Sequence, residues 1–507
     1  MMKKTFLLMA FVAMLAACSN GVPSNYRQST SLPYIYPDYI GVTIPVNMAP
    51  LTFETDGVDK EIVARFTAGN QEVVCQGEKI QPDADDWRAL VQSADSILVD
   101  VYIQHDGQWT RYKPFSIYVS KDSIDPYISY RLISPSYVVY EELTISQRCL
   151  ENYDESIVYD NMLCSKESAG QCINCHNYQQ YNPERMQFHA RENLGGTVIA
   201  YDGHVKKLNM KNDSILSAGV YPSWHPWLKL IVYSTNKTHQ AFHSVHPNKV
   251  EVFDTESDLI AYDLEKNEVW NIENAPDEME VFPFWAKDGK TLYYCSAHFE
   301  RQDTTVSLIS EIVARSKELK YQIYKKSFDP ETMAFGPREL VFSADSTVNS
   351  QLSMVNSKSS TLPRVSPDGR YLMFTLAEYG VFHIWHHDAD LWILDLQTGE
   401  VRPVDEINSP DTESYHSWSS NGRWMVFSSR RDDGTYTRPF FAHIDKEGHW
   451  AKPFELPQAD PNYHRQFMRC YNIPEFMKGP VTIKPQDFAD VLKGKGTTVR
   501  YVPALSK

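Results

Sequence analysis

The stretch WSSNGRWMVFS, residues 418–428, combines an aromatic residue, a polar turn with glycine and a β-prone run that ends in serine. Asn421-Gly422 is a hairpin signal, because both residues tolerate the positive φ of a tight turn. Related phrases are WHPWLKLIVYS (224–234), WAKDGKTLYYCS (285–296) and VSPDGRYLMF (365–374). A second apolar run follows most copies, and two phrases in about 50–80 residues fit a four-stranded blade. The repeat therefore predicts a β-propeller.

The propeller is expected to span residues 131–475, with about six blades and a range of five to seven. Residues 467–474 would close the ring, and residues 476–507 would form a short polar C-terminal tail that contains one strand and is otherwise exposed. Residues 34–130 form a separate unit, since the β-branched run 97–103 is followed by the hairpin signal Asp106-Gly107. Its length of about 100 residues fits a seven-strand β-sandwich of the immunoglobulin type. The predicted fold class is thus all-β.

One motif inside this framework carries recognisable chemistry. Residues 171–176 read QCINCH, and C-x-x-C-H is the attachment signature of a c-type haem. Cys172 and Cys175 would bond covalently to the porphyrin, and His176 would be an axial iron ligand. A disulfide loop, a redox dithiol or part of a metal site are the alternatives for a lone C-x-x-C.

The residues after the motif predict a short helix. Asn182-Pro183-Glu184 resembles an N-cap, a proline at the first helical position and an acidic first turn. Met186 and His189 would share one face of that helix and could supply the second iron ligand. Residues 164–195 are therefore expected to form a helical insertion between the first two blades.

The N-terminus predicts export and lipidation. Residues 1–17 contain a basic start and a short apolar run, which is typical of a signal peptide. Leu15-Ala16-Ala17-Cys18 resembles a bacterial lipobox, so Cys18 would carry the lipid anchor. Residues 18–33 would be a tether. Because Ser19 follows the cysteine and no acidic cluster comes after it, we expect an outer-membrane lipoprotein that faces the periplasm.

The composition of the chain argues against one class of binding partner and leaves several cysteines that could form disulfides. With 49 Lys+Arg against 65 Asp+Glu, the formal net charge is −16, which argues against nucleic-acid binding. An exported compartment permits disulfides. Cys149 could pair with Cys470, which would tie the first and last propeller elements together, or with the nearby Cys164.

The blade phrases resemble the PD40 (WD40-like) repeats of TolB-like propellers. The combination of lipobox, β domain, C-x-x-C-H and blades is similar to bacterial TolB-like lipoproteins that are often labelled as cytochrome-c-related. This resemblance implies a haem c protein for electron transfer, with a redox partner. The alternative is a non-catalytic scaffold that binds envelope proteins, in which the C-x-x-C pair is a structural disulfide. A peptidase is disfavoured, because the chain has no G-x-S-x-G elbow.

Overall fold

The computed structural model describes residues 21–56, 61–135, 142–164, 171–345 and 357–503. The predicted lipidation site, Cys18, lies outside these ranges. Within them, no helix is long and apolar enough to cross a bilayer.

The N-terminal domain is one β-sheet covered by a helix and a small ribbon. Seven strands form the sheet, and two further short strands, at residues 53–54 and 79–80, form the ribbon. Trp87 and Leu90 of the helix are buried in the same core as Phe66. One main sheet with a helix and a ribbon therefore replaces the two sheets of an immunoglobulin-type sandwich. The elements are β1 (Arg27–Gln28), β2 (Thr43–Pro45), β3 (Phe53–Glu54), β4 (Ile62–Ala68), β5 (Gln71–Gly77), β6 (Lys79–Ile80), α1 (Ala84–Ser93), β7 (Ser96–His105), β8 (Gln108–Arg111) and β9 (Phe115–Ser120).

The rest of the described chain is a β-propeller, which confirms the predicted fold class. Its blades are antiparallel sheets of four strands each. A single bridge, Ser257 to Met279, joins the third and fourth blades into one hydrogen-bonded sheet. In chain order, the first three blades contain β10 (Tyr127–Ile133), β11 (Thr144–Cys149) and β12 (Glu155–Asp160); then β13 (Ile173–Tyr178), β14 (Arg185–Ala190), β15 (Gly196–Tyr201) and β16 (His204–Asn209); then β17 (Val220–Trp224), β18 (Leu230–Phe242), β19 (Val250–Asp263) and β20 (Glu268–Glu273).

Blades four to six continue the pattern. Their elements are β21 (Glu278–Trp285), β22 (Thr291–His298), α2 (Leu308–Ala314), β23 (Gln322–Asp329) and β24 (Ala334–Phe342); then β25 (Ser359–Val365), β26 (Tyr371–Ala377), β27 (Asp390–Asp395) and β28 (Val401–Pro403); then β29 (Glu413–Trp418), β30 (Trp424–Ser429), β31 (Arg438–His443) and β32 (Phe454–Glu455).

The ring closes through the C-terminal part of the chain, in the region that the sequence predicts. After the short helix α3 (Tyr463–Gln466), strand β33 (Cys470–Met477) pairs antiparallel with β10 and becomes the inner strand of the first blade. Both ends of the propeller are thus hydrogen-bonded in one sheet, and the pairing pattern gives six blades.

The C-terminal residues are more ordered than the expected polar tail. Helix α4 (Pro485–Lys493) buries Phe488, Ala489 and Leu492 in the apolar core that the first and second blades share. Two short strands follow, β34 (Thr497–Thr498) and β35 (Arg500–Tyr501), and they add to the edges of blades two and three. The apolar residues at 488, 489 and 492 lie on one helical face, which explains why a polar segment still docks.

The N-terminal domain packs on the sixth and first blades. Phe53 and Leu90 share one apolar core with Trp424 and Phe441 of the sixth blade. The indole Nε1 of Trp424 donates to the backbone oxygen of Asp122 at 2.9 Å. Buried aromatic contacts of this kind fix one unit against the other.

The predicted helical insertion after C-x-x-C-H is wrong. Residues 173–178 are β13, the inner strand of the second blade, and residues 185–190 are β14 beside it. Met186 and Phe188, two residues apart, both enter the blade core, which is the period of a strand. Asn182-Pro183 begins the turn between the two strands, since proline suits a turn as well as a helix start.

Candidate functional site

The inner strand of every blade has the same irregularity. Two consecutive residues face one residue of the neighbouring strand, so the ladder register shifts there. This is a β-bulge, which re-aims side chains. The first residue of each bulge has a φ between 47° and 56°; these residues are Cys175, Tyr221, Phe282, Leu362, Tyr415 and Ile473.

The second position of the bulge explains part of the C-x-x-C-H motif. It is proline in four blades, at Pro222, Pro283, Pro363 and Pro474, and histidine in the other two, at His176 and His416. Cys175-His176 in the second blade therefore corresponds to Tyr415-His416 in the sixth. The match could have been found in the sequence. HNY at 176–178 and HSW at 416–418 both consist of a histidine, a polar residue and an aromatic residue, and both end an inner strand.

The bulges meet at the central channel. A cavity of about 30 Å³ there is lined by Cys175, His176, Tyr221 and Phe282, among others. His176 is only 1% exposed. Burial lowers the pKa of His176 to about 3, and the nearby Arg131 acts in the same direction. The imidazole is thus held neutral inside the channel at physiological pH.

A larger cavity of about 330 Å³ opens at one end of this channel, and we call it the mouth cavity. Cys172 and Cys175 both line it. Its remaining walls combine charged groups with aromatic and aliphatic side chains. They include Arg131, Arg191, Glu192, Tyr221, Val250, Val252, Phe382, Trp385, Tyr415 and Asn472.

The two thiols of the motif are free, and they differ in environment. Cys175 is buried, whereas Cys172 is partly exposed. Burial raises the pKa of the Cys175 thiol, while the backbone of Tyr221 and the charge of Arg191 oppose that rise. A raised pKa leaves little thiolate, so Cys175 is not set up as a nucleophile.

The arrangement does not fit a haem held as the sequence predicts. A macrocycle bonded to both thiols would occupy the mouth cavity, but His176 does not line that cavity. Its ring borders the 30 Å³ space inside the channel, which is room for about one water and not for a porphyrin.

The two candidates for the second iron ligand lie elsewhere. Met186 and His189 are three apart on a strand, so they face opposite sides of the sheet. Met186 is fully buried in the apolar core of the blade. His189 Nδ1 is 3.3 Å from the Thr197 hydroxyl, and burial lowers the pKa of His189 to about 3. Neither residue lines the mouth cavity.

The predicted disulfide does not form. Cys149 pairs across from Tyr127 and Cys470 across from Ile133, at opposite ends of β10. Six residues of strand separate them by about 20 Å, too far for a disulfide. Cys164, the local alternative, is also a free thiol, and its Sγ donates to the Ala489 oxygen at 3.3 Å.

The other end of the channel has a different character. Arg364 and Glu475 line it together with Tyr178, Trp285 and Trp418. Asn177 donates from Nδ2 to Glu475 Oε1 at 2.8 Å. Burial raises the pKa of Glu475 to about 7, against the lowering effect of the Asn177 hydrogen bond. Among the residues described, no group of three His, Cys, Asp or Glu could hold a metal ion.

No family model and no curated protein sequence matches the chain. Several solved structures are similar. A TolB protein from Agrobacterium tumefaciens is 12% identical, with 67% of this chain and 93% of that chain covered and a TM-score of 0.36. A structure of the nidogen/laminin complex is 6% identical over 69% and 98%, with a TM-score of 0.40. The tricorn protease is 12% identical over 83% and 35%, with a TM-score of 0.33.

Similarities this distant add nothing to the site. The class of the protein rests on its own strand pairing: four-stranded antiparallel blades, closed into a ring by β33 and β10. The chain is a β-propeller with an appended N-terminal β domain.

Proposed function

We propose that this protein is a lipid-anchored propeller of the outer membrane, facing the periplasm, that acts by binding a ligand at its mouth cavity. In this proposal Cys172, Asn174 and Cys175 form part of the wall of that cavity, and the C-x-x-C-H motif does not carry a haem. The observation behind it is the equivalence of the two histidine bulges. Tyr415-His416 adopts the same backbone as Cys175-His176 without any cysteine nearby in sequence, so the blade accounts for the histidine.

The mouth cavity has the properties of a binding site. Its volume of about 330 Å³ falls at the lower end of the range for small-ligand pockets, about 300–1,000 Å³. Aromatic and aliphatic walls with a few charged groups are typical of such pockets. The buried thiol of Cys175 is not favoured as a catalytic nucleophile, because burial raises its pKa.

The anchor is tested by fractionation. Wild-type protein and Cys18→Ala are expressed in a bacterium with lipoprotein processing, and the membranes are separated on a sucrose gradient. The wild type should sediment with the outer membrane, be protected from protease in intact cells and lose that protection when the outer membrane is opened. Cys18→Ala should lose this membrane association. A soluble wild type, or digestion in intact cells, would contradict the anchor or the orientation.

Electron transfer through a covalent haem c, with a redox partner, is the second candidate function. One observation favours it: Cys172 and Cys175 both line the same cavity. The position of His176 outside that cavity opposes it. A haem would require the inner strand of the second blade to move, so that thiols and imidazole face one space. A pyridine haemochrome spectrum of the purified protein separates the two candidate functions.

A further inference from the structure

We propose that the mouth cavity binds a small organic anion, such as a carboxylate on an apolar body, and that Arg131 recognises the negative charge. This inference rests on the proposed function, because it names the class of ligand for the same cavity.

Arg131 is a buried cation whose hydrogen bonds are incomplete. The residue is 8% exposed and lines the mouth cavity. Its Nη1 donates to the Ile173 oxygen at 3.1 Å. Its Nη2 lies 3.2 Å from the oxygen of the Asn472 amide when that amide is turned toward it. Its Nε is buried without a hydrogen-bond partner. A guanidinium has five N–H donors, so part of its capacity remains for a ligand.

Within the described ranges, no carboxylate oxygen lies within 4.0 Å of the Arg131 guanidinium nitrogens, so no ion pair neutralises this charge. Arginine stays charged in proteins, and a buried charge without a counter-ion is costly. An anion in the adjoining cavity would offset that cost. The other charges of the cavity wall, Arg191 and Glu192, have opposite signs, so the net charge of the lining is positive.

The remaining walls define the body of the ligand. Val250, Val252 and Phe382 provide apolar surface, and Trp385 provides an indole. The guanidinium of Arg430 lies 3.9 Å from the centre of the Trp385 ring, which holds that ring in place. One charged end and several apolar walls suit a carboxylate carried on a ring, in the manner of a benzoate. Arginine also binds a carboxylate in a planar, bidentate geometry.

The channel offers a matched control. Arg364 also lines the channel, but near its other end. It donates from Nη1 to the Pro363 oxygen at 3.1 Å and lies 4.9 Å from the Phe284 ring. Arg131→Met and Arg364→Met each remove one positive charge from the channel. Only the first alters the mouth cavity.

The probe is 4-fluorobenzoate, followed by ligand-observed ¹⁹F NMR, with neutral 4-fluorobenzamide as the control ligand. Wild-type protein and Arg364→Met should bind the benzoate saturably and more tightly than the benzamide. Arg131→Met should weaken benzoate binding by about tenfold or more, the range expected when a charged hydrogen bond is lost, and should leave benzamide unchanged. Arg131→Lys keeps the positive charge but loses the planar guanidinium, so its affinity for benzoate should lie between those of wild type and Arg131→Met.

Three results would overturn the inference. The first is a wild type that does not bind 4-fluorobenzoate. The second is equal binding of benzoate and benzamide. The third is equal loss in Arg131→Met and Arg364→Met. If Arg131→Met does not fold, Arg131→Lys takes its place. Arg131→Lys should bind benzoate more weakly than wild type and should bind benzamide as well as wild type does. Unchanged benzoate binding in Arg131→Lys would also overturn the inference. These outcomes leave the anchor and the haem test untouched, so failure here is separate from failure of the proposed function.

Discussion

The bulges of the second and sixth blades carry the same backbone and different chemistry. Cys175-His176 and Tyr415-His416 each begin with a residue of positive φ, 56° and 49°. Both histidines are buried, with pKa values lowered to about 3 mainly by burial and next by one arginine, Arg131 for His176 and Arg364 for His416. The repeat supplies the bulge, and the sixth blade shows that a buried histidine can occupy it without any cysteine; the cysteines are what distinguish the second blade.

The largest expected effect concerns acid stability. Each histidine has a folded pKa of about 3 against 6.5. Between these values the unfolded chain binds more protons, so stability falls as the pH drops below 6.5. At pH 4.5 each histidine should cost about 3 kcal/mol relative to pH 7. Urea unfolding measures the free energy of unfolding at both pH values. Between pH 7 and pH 4.5 this free energy should fall less in His176→Gln and in His416→Gln than in wild type, and by a similar amount in the two variants.

A different pH dependence of stability in the two variants would show that the two histidines are not equivalent. If only His416→Gln flattened the dependence on pH, then His176 would not titrate as a free buried imidazole. Iron ligation would produce that result, because a metal competes with the proton for the ring nitrogen.

The next effect concerns backbone. Four bulges have proline where the second and sixth blades have histidine, so His176→Pro and His416→Pro should each keep the fold with a loss below about 1 kcal/mol. Gln187→Pro, on the adjacent strand β14, is the control. It removes a ladder hydrogen bond and also the hydrogen bond that Gln187 Nε2 donates to the Cys175 oxygen, so it should cost about 3 kcal/mol or more. Thermal unfolding measures all three. A loss for His176→Pro as large as that of the control would show that the two bulges are not equivalent.

The smallest effect concerns the two thiols. At pH 8 iodoacetamide should modify the partly exposed Cys172 well before the buried Cys175, whose pKa is raised by burial. Peptide mass spectrometry of protein labelled over time measures both rates. Labelling that is equally fast at both positions would contradict the environment described for Cys175. A porphyrin mass on the peptide that contains both cysteines, with no iodoacetamide label at either, would support the haem.

The fold was largely predictable because its signals are local. The hairpin at Asp106-Gly107 forms as expected between β7 and β8, with both residues at positive φ. The blade phrases fall on strands such as β22 and β30, because alternating apolar residues and glycine turns act over a few residues.

The site was less predictable, for three physical reasons. Asn182-Pro183 suits both a helix start and a turn, and only the alternation of Met186 and Phe188 indicates a strand. A motif such as C-x-x-C-H indicates which side chains could react together, but it does not indicate the backbone conformation that determines where those side chains lie. Arg131 has no sequence signal at all, because its burial depends on β33, more than 300 residues later in the chain.

A pyridine haemochrome spectrum tests the central claim most directly. Wild-type protein is purified from a strain with an active cytochrome c maturation system, beside Cys172→Ala/Cys175→Ala and a control cytochrome. The account predicts no c-type band in the wild type while the control cytochrome shows one, and similar folding of wild type and double variant. A c-type band in the wild type that disappears in the double variant would contradict it, and would assign Cys172, Cys175 and His176 to a haem.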